Sequence, residues 1–187
     1  MITQAFNQNC IKILTLFSLA PGSRFNRKYV KEKTKMNNVP LDNSLLKLVS
    51  SKIIKKEKNY YSINFESEYS KEILDICSKQ FKQLKELPLN IYYLLMELSE
   101  YFSMIKGVEV ILFGSYAKLA FSVKSDVDIS LIHKNSLDKK KIASFVSKME
   151  KAYGKNIEIH YFKKMSFYKN KKDPLIKSIL KDGIKII

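Results

Sequence analysis

Cysteine is scarce in this chain of 187 residues: there are two, Cys10 and Cys77. They lie far apart, form no Cys-x-x-Cys pair and join no Cys/His cluster, which excludes a zinc-ribbon site and a disulfide scaffold. Two reduced core thiols in a cytosolic protein are expected instead. No apolar stretch approaches the ~20 residues needed to span a bilayer. The opening MITQAFNQNCIKIL has no basic segment followed by an apolar run, so no signal peptide is expected and the predicted location is cytoplasmic. No internal repeat is evident. Acidic residues are also few, 18 against 34 lysines and arginines, for a formal charge of +16. That excess leaves two readings open: a polyanionic partner such as nucleic acid, nucleotide or phosphorylated substrate, or lysines that merely solvate helix faces. Hydrophobic content of 45% and an aromatic share of 12% support a packed core and argue against the disordered class. The length suits one medium domain or two small ones.

The first part of the chain reads as three helices and a hairpin. Ile11, Leu14, Leu16 and Phe17 recur at roughly helical spacing between Asn9 and Leu19, and Ala20-Pro21-Gly22-Ser23 stops the run. Asn26 is placed to cap a helix from Arg27 to Thr34, with Tyr29 and Val30 turned inward. Pro40 and Leu41 open a third helix whose apolar face is Leu45, Leu46, Leu48 and Val49. Ile53-Ile54 and Tyr60-Tyr61-Ser62-Ile63 then read as two short strands around a charged tip. This order, and the phrase LLKLVSSKIIKKEKNYYSINFE in particular, resembles the recognition helix and wing of a winged helix-turn-helix.

Ile73, Cys77, Phe81 and Leu84 mark a connecting helix across residues 67–87, and Pro88 interrupts it. A further helix runs from Leu89 to Ile105. The pattern then alternates: a strand from Val108 to Phe113, a short helix from Ser115 to Ala120, and a strand from Val127 to Ile132. A helix capped by Ser136 runs to Tyr153, with Ile142, Phe145, Val146 and Met149 inward, and Gly154 ends it. A strand from Ile157 to Phe162 follows. The tail, from Asp173-Pro174, reads as a helix to Lys181, a Gly183 stop and a short final strand. The helix-rich first part and the α/β second part predict an α+β protein with a boundary near residue 67. The predicted divisions are 1–66, 67–87 and 88–187.

Chemistry concentrates in VILFGSYAKLAFSVKSDVDISLI, residues 110–132. A strand delivers Gly114-Ser115 at its carboxyl end. Gly114 lacks a side chain, so a phosphate can approach its backbone, and the Ser115 hydroxyl can donate to that phosphate. Asp126 and Asp128, two positions apart, share one strand face while Val127 and Ile129 face the core. Adjacent carboxylates repel unless a cation lies between them. Magnesium prefers carboxylate oxygens and keeps positions for phosphate oxygens and water. An ordinary turn with loop-capping aspartates would not place both acids on one face beside a phosphate-type turn. A calcium loop starting at Asp126 would need Gly at Leu131 and Glu at Leu137.

Gly-Ser, about ten residues, then Asp-x-Asp with apolar flanks resembles the DNA polymerase β-like nucleotidyltransferase superfamily, in particular its small archaeal-type members. The likeness covers about residues 88–187, and DPLIKSILKDGIKII is similar to the helix-and-strand tail of those members. It implies a small mixed sheet flanked by helices, and transfer of a nucleoside monophosphate from an NTP, with ATP the expected donor, to a hydroxyl. Gly114, Ser115 and, from the short helix, Lys118 would contact the nucleotide. Asp126 and Asp128 would hold Mg²⁺ or Mn²⁺. The family's third carboxylate falls on Glu158, as a metal ligand or as the base for the acceptor hydroxyl. Two departures stand out: small members often carry glycine where this chain has Leu119, and many have aspartate at the third carboxylate. His160 lies on the same strand face as Glu158, although a lone histidine is more often a structural or surface residue; His133 lies at a strand end. Ser125 and Ser130 could hydrogen-bond in the loop, but a bland polar role is the expectation for both. The family also implies acceptors among RNA, protein or small molecules, a possible small helical protein partner, and an antitoxin-like role in a toxin–antitoxin pair.

On the winged-helix resemblance, Arg24, Arg27 and Lys28 near the second helix, Asn43, Ser44 and Lys47 on the third, and Lys55, Lys56 and Lys58 at the wing tip would contact nucleic acid. The dominance of lysine favours backbone attraction over bidentate base reading. A protein–protein or dimerisation module is the other reading of this part. For the whole chain, the rival to an enzyme is a DNA-binding regulator whose transferase domain only binds nucleotide or a partner.

Overall fold

In the computed structural model, residues 7–84 and 87–187 are described. The chain divides into two compact units, Met1–Tyr93 and Leu94–Ile187, with the division falling inside one helix.

The first unit holds α1 (Gln8–Ser18), β1 (Phe25–Asn26), α2 (Arg27–Thr34), α3 (Asn38–Ser50), β2 (Ile54–Glu57), β3 (Tyr60–Ile63) and α4 (Ser70–Gln83). Side-chain caps set two helix starts: Asn7 accepts from the Cys10 N–H at 3.0 Å and Asn26 from the Tyr29 N–H at 2.8 Å. The hairpin β2–β3 pairs antiparallel, and the short β1, which the sequence pattern did not announce, adds to the far side of β3. Ile13, Leu14, Phe17, Val30, Leu41, Leu45, Leu48, Ile53, Ile63 and Cys77 form one core. Both cysteines are buried thiols, and burial pushes the Cys77 thiol up to about 11. Two expected core residues turn out differently. Leu46 is 66% exposed because it falls between the inward rows of Leu41, Leu45 and Leu48 on α3. Tyr29 is 37% exposed and stacks on the Phe25 ring at 4.8 Å, while Val30 takes the buried place.

Helix α5 (Leu89–Ser103) leads into β4 (Val108–Phe113), α6 (Gly114–Ala117), β5 (Val127–His133), α7 (Lys139–Tyr153), β6 (Ile157–Lys163), α8 (Lys164–Lys169), α9 (Pro174–Asp182) and β7 (Ile184–Lys185). The strands form one mixed sheet in the order β6-β5-β4-β7, with β5 and β6 parallel and the other pairs antiparallel. A parallel pair requires a crossover, and α7 provides it. Asp138, not Ser136, caps α7 by accepting from the Lys141 N–H, and the left-handed Gly154 ends it. Asp173 caps α9 through the Leu175 and Ile176 N–H groups, with Pro174 at the first helical position.

The two-residue period sorts the sheet into faces. Val110, Leu112, Val127, Ile129 and Leu131 point one way and are fully buried. Ile111, Phe113 and Ile132 point the other way and pack with Phe162, Phe167, Ile176 and Ile179. Along that second face, β5 reads Asp128, Ser130, Ile132, so the acidic end grades into an apolar core within four residues. The small mixed sheet flanked by helices agrees with the α+β expectation for this half.

Candidate active site

Strand β4 ends where the backbone must turn sharply, and Gly114 makes that turn with φ of +70°. Phe113 pairs with Asp128 across the antiparallel β4–β5 ladder, which brings the Asp128 side chain over the Gly114 Cα. A Cβ at Gly114 would lie 2.8 Å from the Asp128 Cγ and overlap its Oδ2. Glycine is required twice over, by the left-handed backbone and by the carboxylate resting on it. The short α6 follows, with Ser115 half-buried, the Gly114 carbonyl accepting from the Lys118 N–H at 3.2 Å, and the Ser115 carbonyl accepting from the Ala120 N–H at 2.9 Å.

Leu119 then adopts φ of +56° with its side chain 53% exposed. Backbone of this hand disfavours branched side chains, and glycine is its ordinary occupant. The leucine therefore keeps a glycine-type backbone path rather than rerouting the loop. Residues 120–126 return to β5 through a serine clasp: the Ser122 N–H donates to the Ser125 Oγ at 2.8 Å. The Lys155 ammonium, unremarked in the sequence, donates to the Val123 carbonyl at 2.7 Å and anchors the loop to the start of β6. Asp126 is exposed just before β5, and Asp128 is half-buried on it.

Parallel pairing of β5 with β6 sets Asp128 beside Glu158 and Ser130 beside His160. Asp128, Glu158 and His160 each offer a ligand atom within 4.8 Å of the others. The His160 Nε2 stands 3.0 Å from the Glu158 Oε1, and the Phe113 ring meets the imidazole edge-on at 5.2 Å. Burial holds the Asp128 carboxyl above the usual aspartate range, and the charges of Glu158 and Asp126 push the same way against the opposing pull of His160. Two carboxylates and an imidazole facing one point, with one carboxylate strained by its neighbours' charge, form a donor set that fits a divalent cation. Ser130 is buried in mid-strand, and its Oγ has no hydrogen-bond partner.

Other sequence candidates are dispersed. Lys118 is exposed and faces the Asp182 carboxylate of α9 at 3.6 Å, a pairing that a read of the local sequence does not reveal. His133 lies at the far end of β5, its Nδ1 2.7 Å from the Asn135 carbonyl. In the first unit, Arg24 pairs with Glu57 at the hairpin. Arg27 forms a two-pronged bond to Asp42 of α3, at 2.6 and 2.8 Å. Lys28, Asn43, Lys47, Lys55, Lys56 and Lys58 are exposed, with Lys55 3.2 Å from Glu57 and Lys56 over the Tyr61 ring. Among the described residues no helix is long and apolar enough to cross a membrane.

Residues 91–186 match the family model described as Nucleotidyltransferase domain, a span that begins in α5 and ends in the final residues of the tail. No curated protein matches the chain.

Proposed function

Because the chain belongs to the nucleotidyltransferase domain family, we propose that it moves a nucleoside monophosphate from an NTP, ATP first among them, to a hydroxyl acceptor. The observation that carries this reading is the Asp128 carboxylate seated on the left-handed Gly114 and flanked by Glu158 in register. In this reading Gly114 and Ser115 receive the triphosphate through the backbone of the turn and a hydrogen bond donated by the serine hydroxyl. Asp126, Asp128 and Glu158 would hold the divalent ion, Mg²⁺ or Mn²⁺; Asp128 and Glu158 belong to the cluster with His160, and Asp126 would join from the loop just before β5. Such an ion supplies neutralisation of triphosphate charge and a lowered pKa for a bound hydroxyl. Glu158 is exposed and, through the carboxylate oxygen not facing His160, would receive the proton of the acceptor hydroxyl as its oxygen bonds to the α-phosphorus. The bond from that phosphorus to the β-phosphate oxygen breaks, and pyrophosphate leaves. Lys118 reaches the triphosphate by exchanging Asp182 for a phosphate oxygen, since its present ion pair is long and solvent-exposed.

The proposed divisions are a winged helix-turn-helix module over 1–66, a connecting helix over 67–87 and the transferase domain over 88–187, of which residues 1–6 and 85–86 lie outside the described residues. The exposed lysines at the hairpin tip support sequence-independent contact with nucleic acid. The acceptor is RNA, a protein side chain or a small molecule, and an antitoxin-like role with a small helical partner protein belongs to the same proposal. The test is transfer of label from ATP with Mg²⁺ to RNA or to proteins of a cell extract, by wild type and by Asp126→Asn/Asp128→Asn. Label transfer that disappears in the double variant supports the enzyme. No transfer, with salt-sensitive DNA binding intact, identifies a regulator instead.

A further inference from the structure

The donor set on the second sheet face is not purely oxygen. We propose that His160 ligates the metal through Nε2, so that the Asp128–Glu158–His160 cluster takes a first-row transition ion of the Mn²⁺ type in preference to Mg²⁺. The inference rests on the metal-dependent reading above and specifies which ion that site selects.

Four observations carry it. Nε2 is the imidazole nitrogen that faces the Glu158 carboxylate, 3.0 Å from its Oε1. Two ligand atoms bound at ~2.1 Å and at right angles stand ~3.0 Å apart, so this pair already has the spacing of one edge of an octahedral site. All three donors lie within 4.8 Å of one another, which a single ion can span. The ring is seated edge-on against Phe113, and its neighbour in register is the buried, unpartnered hydroxyl of Ser130. An imidazole that ligates through one nitrogen carries its proton on the other, and an acceptor for that proton fixes the tautomer. Ser130 stands on the right strand and face to be that acceptor. Mg²⁺ favours oxygen ligands and binds imidazole poorly, whereas Mn²⁺ shares the carboxylate preference but, as a first-row transition ion, also accepts a nitrogen, so one nitrogen tilts a carboxylate site away from Mg²⁺.

The chain has two histidines, which makes the assignment testable by spectroscopy. His133 lies three register positions along the sheet, ~10 Å from His160, too far to share an ion. The full chain is loaded with Mn²⁺ and studied by electron spin-echo envelope modulation, with competition by Mg²⁺ giving the affinity ratio. A ¹⁴N modulation is expected in wild type and His133→Ala, and its loss is expected in His160→Ala. In the wild-type chain, ¹⁵N-histidine labelling must change the modulation, which requires no substitution and no assumption about folding. His160→Ala is expected to weaken Mn²⁺ binding tenfold or more while Mg²⁺ binding changes far less. Mn²⁺ bound without nitrogen modulation overturns the proposal, as does modulation surviving in His160→Ala. Equal weakening of both ions also overturns it, because the histidine would then act only by orienting Glu158. If wild type binds neither ion, the metal site itself falls, and the proposed function falls with it.

Discussion

Gly114 carries two demands on a single Cα: a left-handed backbone and room for the Asp128 carboxylate. Gly114→Ala meets both penalties, roughly 1–2 kcal/mol for the backbone and more for displacing the carboxylate. A fall of the thermal midpoint by at least ~3 °C, read by calorimetry, is expected together with loss of transfer. An unchanged midpoint would mean that the carboxylate does not rest there. Leu119 gives the converse case. Its side chain is largely exposed and its backbone is left-handed, so Leu119→Gly removes strain at little cost in burial. Allowing for the extra freedom of glycine in the unfolded chain, a gain of about 0.5–1 kcal/mol is expected in urea melts, with transfer retained. The spacing of Gly114, Ser115, Asp126 and Asp128 was visible in the sequence because strand alternation fixes which side chains share a face. The closeness of His160 to Glu158 was half-visible: alternation put them on one face, but only the β5–β6 register sets both beside Asp128. Lys155 and Asp182 carried no local signal, since their partners lie 32 residues away for the first and on another element for the second.

At the scale of elements, strands β4, β5 and β6, helix α7 and helix α9 were readable within a residue or two at most ends, because apolar period and stop signals agreed. Two pieces were not. Helix α8 (Lys164–Lys169) is a single turn and a half with two lysines and one buried residue, Phe167, so its apolar pattern is too short to register. Strand β1 has two residues and exists only by pairing with β3. What holds α8 to the sheet is polar as well as apolar. Glu109 of β4 accepts from the Lys164 ammonium and, at 2.7 Å, from the Tyr168 hydroxyl. The Lys164 bond, aided by the Tyr168 bond, holds the Glu109 carboxyl below its usual range, and the same contact pushes the Tyr168 phenol up to about 12. A carboxyl whose pKa is lowered by folding stabilises the fold above its unfolded value of about 4.3, and that stability is lost as pH falls through the lower folded value. Glu109→Gln is therefore expected to lower the unfolding free energy read from urea melts at pH 7 by about 1 kcal/mol once the exposure of Lys164 is discounted. At pH 3 the gap between wild type and variant should narrow. A gap of constant size from pH 7 to pH 3 would show that charge is not what Glu109 contributes.

For the whole molecule, the formal charge of +16 leaves open whether the lysines meet a polyanion or only solvent. Both arginines of the first unit are engaged with Glu57 or Asp42 in solvent-exposed pairs that a phosphate could displace, and the lysines at the hairpin tip add to that positive surface. Replacing Lys55, Lys56 and Lys58 with alanine is expected to reduce the slope of log affinity for duplex DNA against log salt by up to about 3, read by fluorescence anisotropy. A slope unchanged by the triple substitution would remove the hairpin tip from the nucleic-acid surface. The chemistry of the second unit is decided by which phosphate of ATP reaches the acceptor. Parallel reactions with α-labelled and γ-labelled ATP should label the acceptor only from the α position, release labelled pyrophosphate from the γ position, and fall silent in Asp128→Asn. Acceptor labelled from γ-labelled ATP, or α-label transfer that Asp128→Asn leaves intact, would contradict a nucleotidyl transfer centred on Gly114 and Asp128.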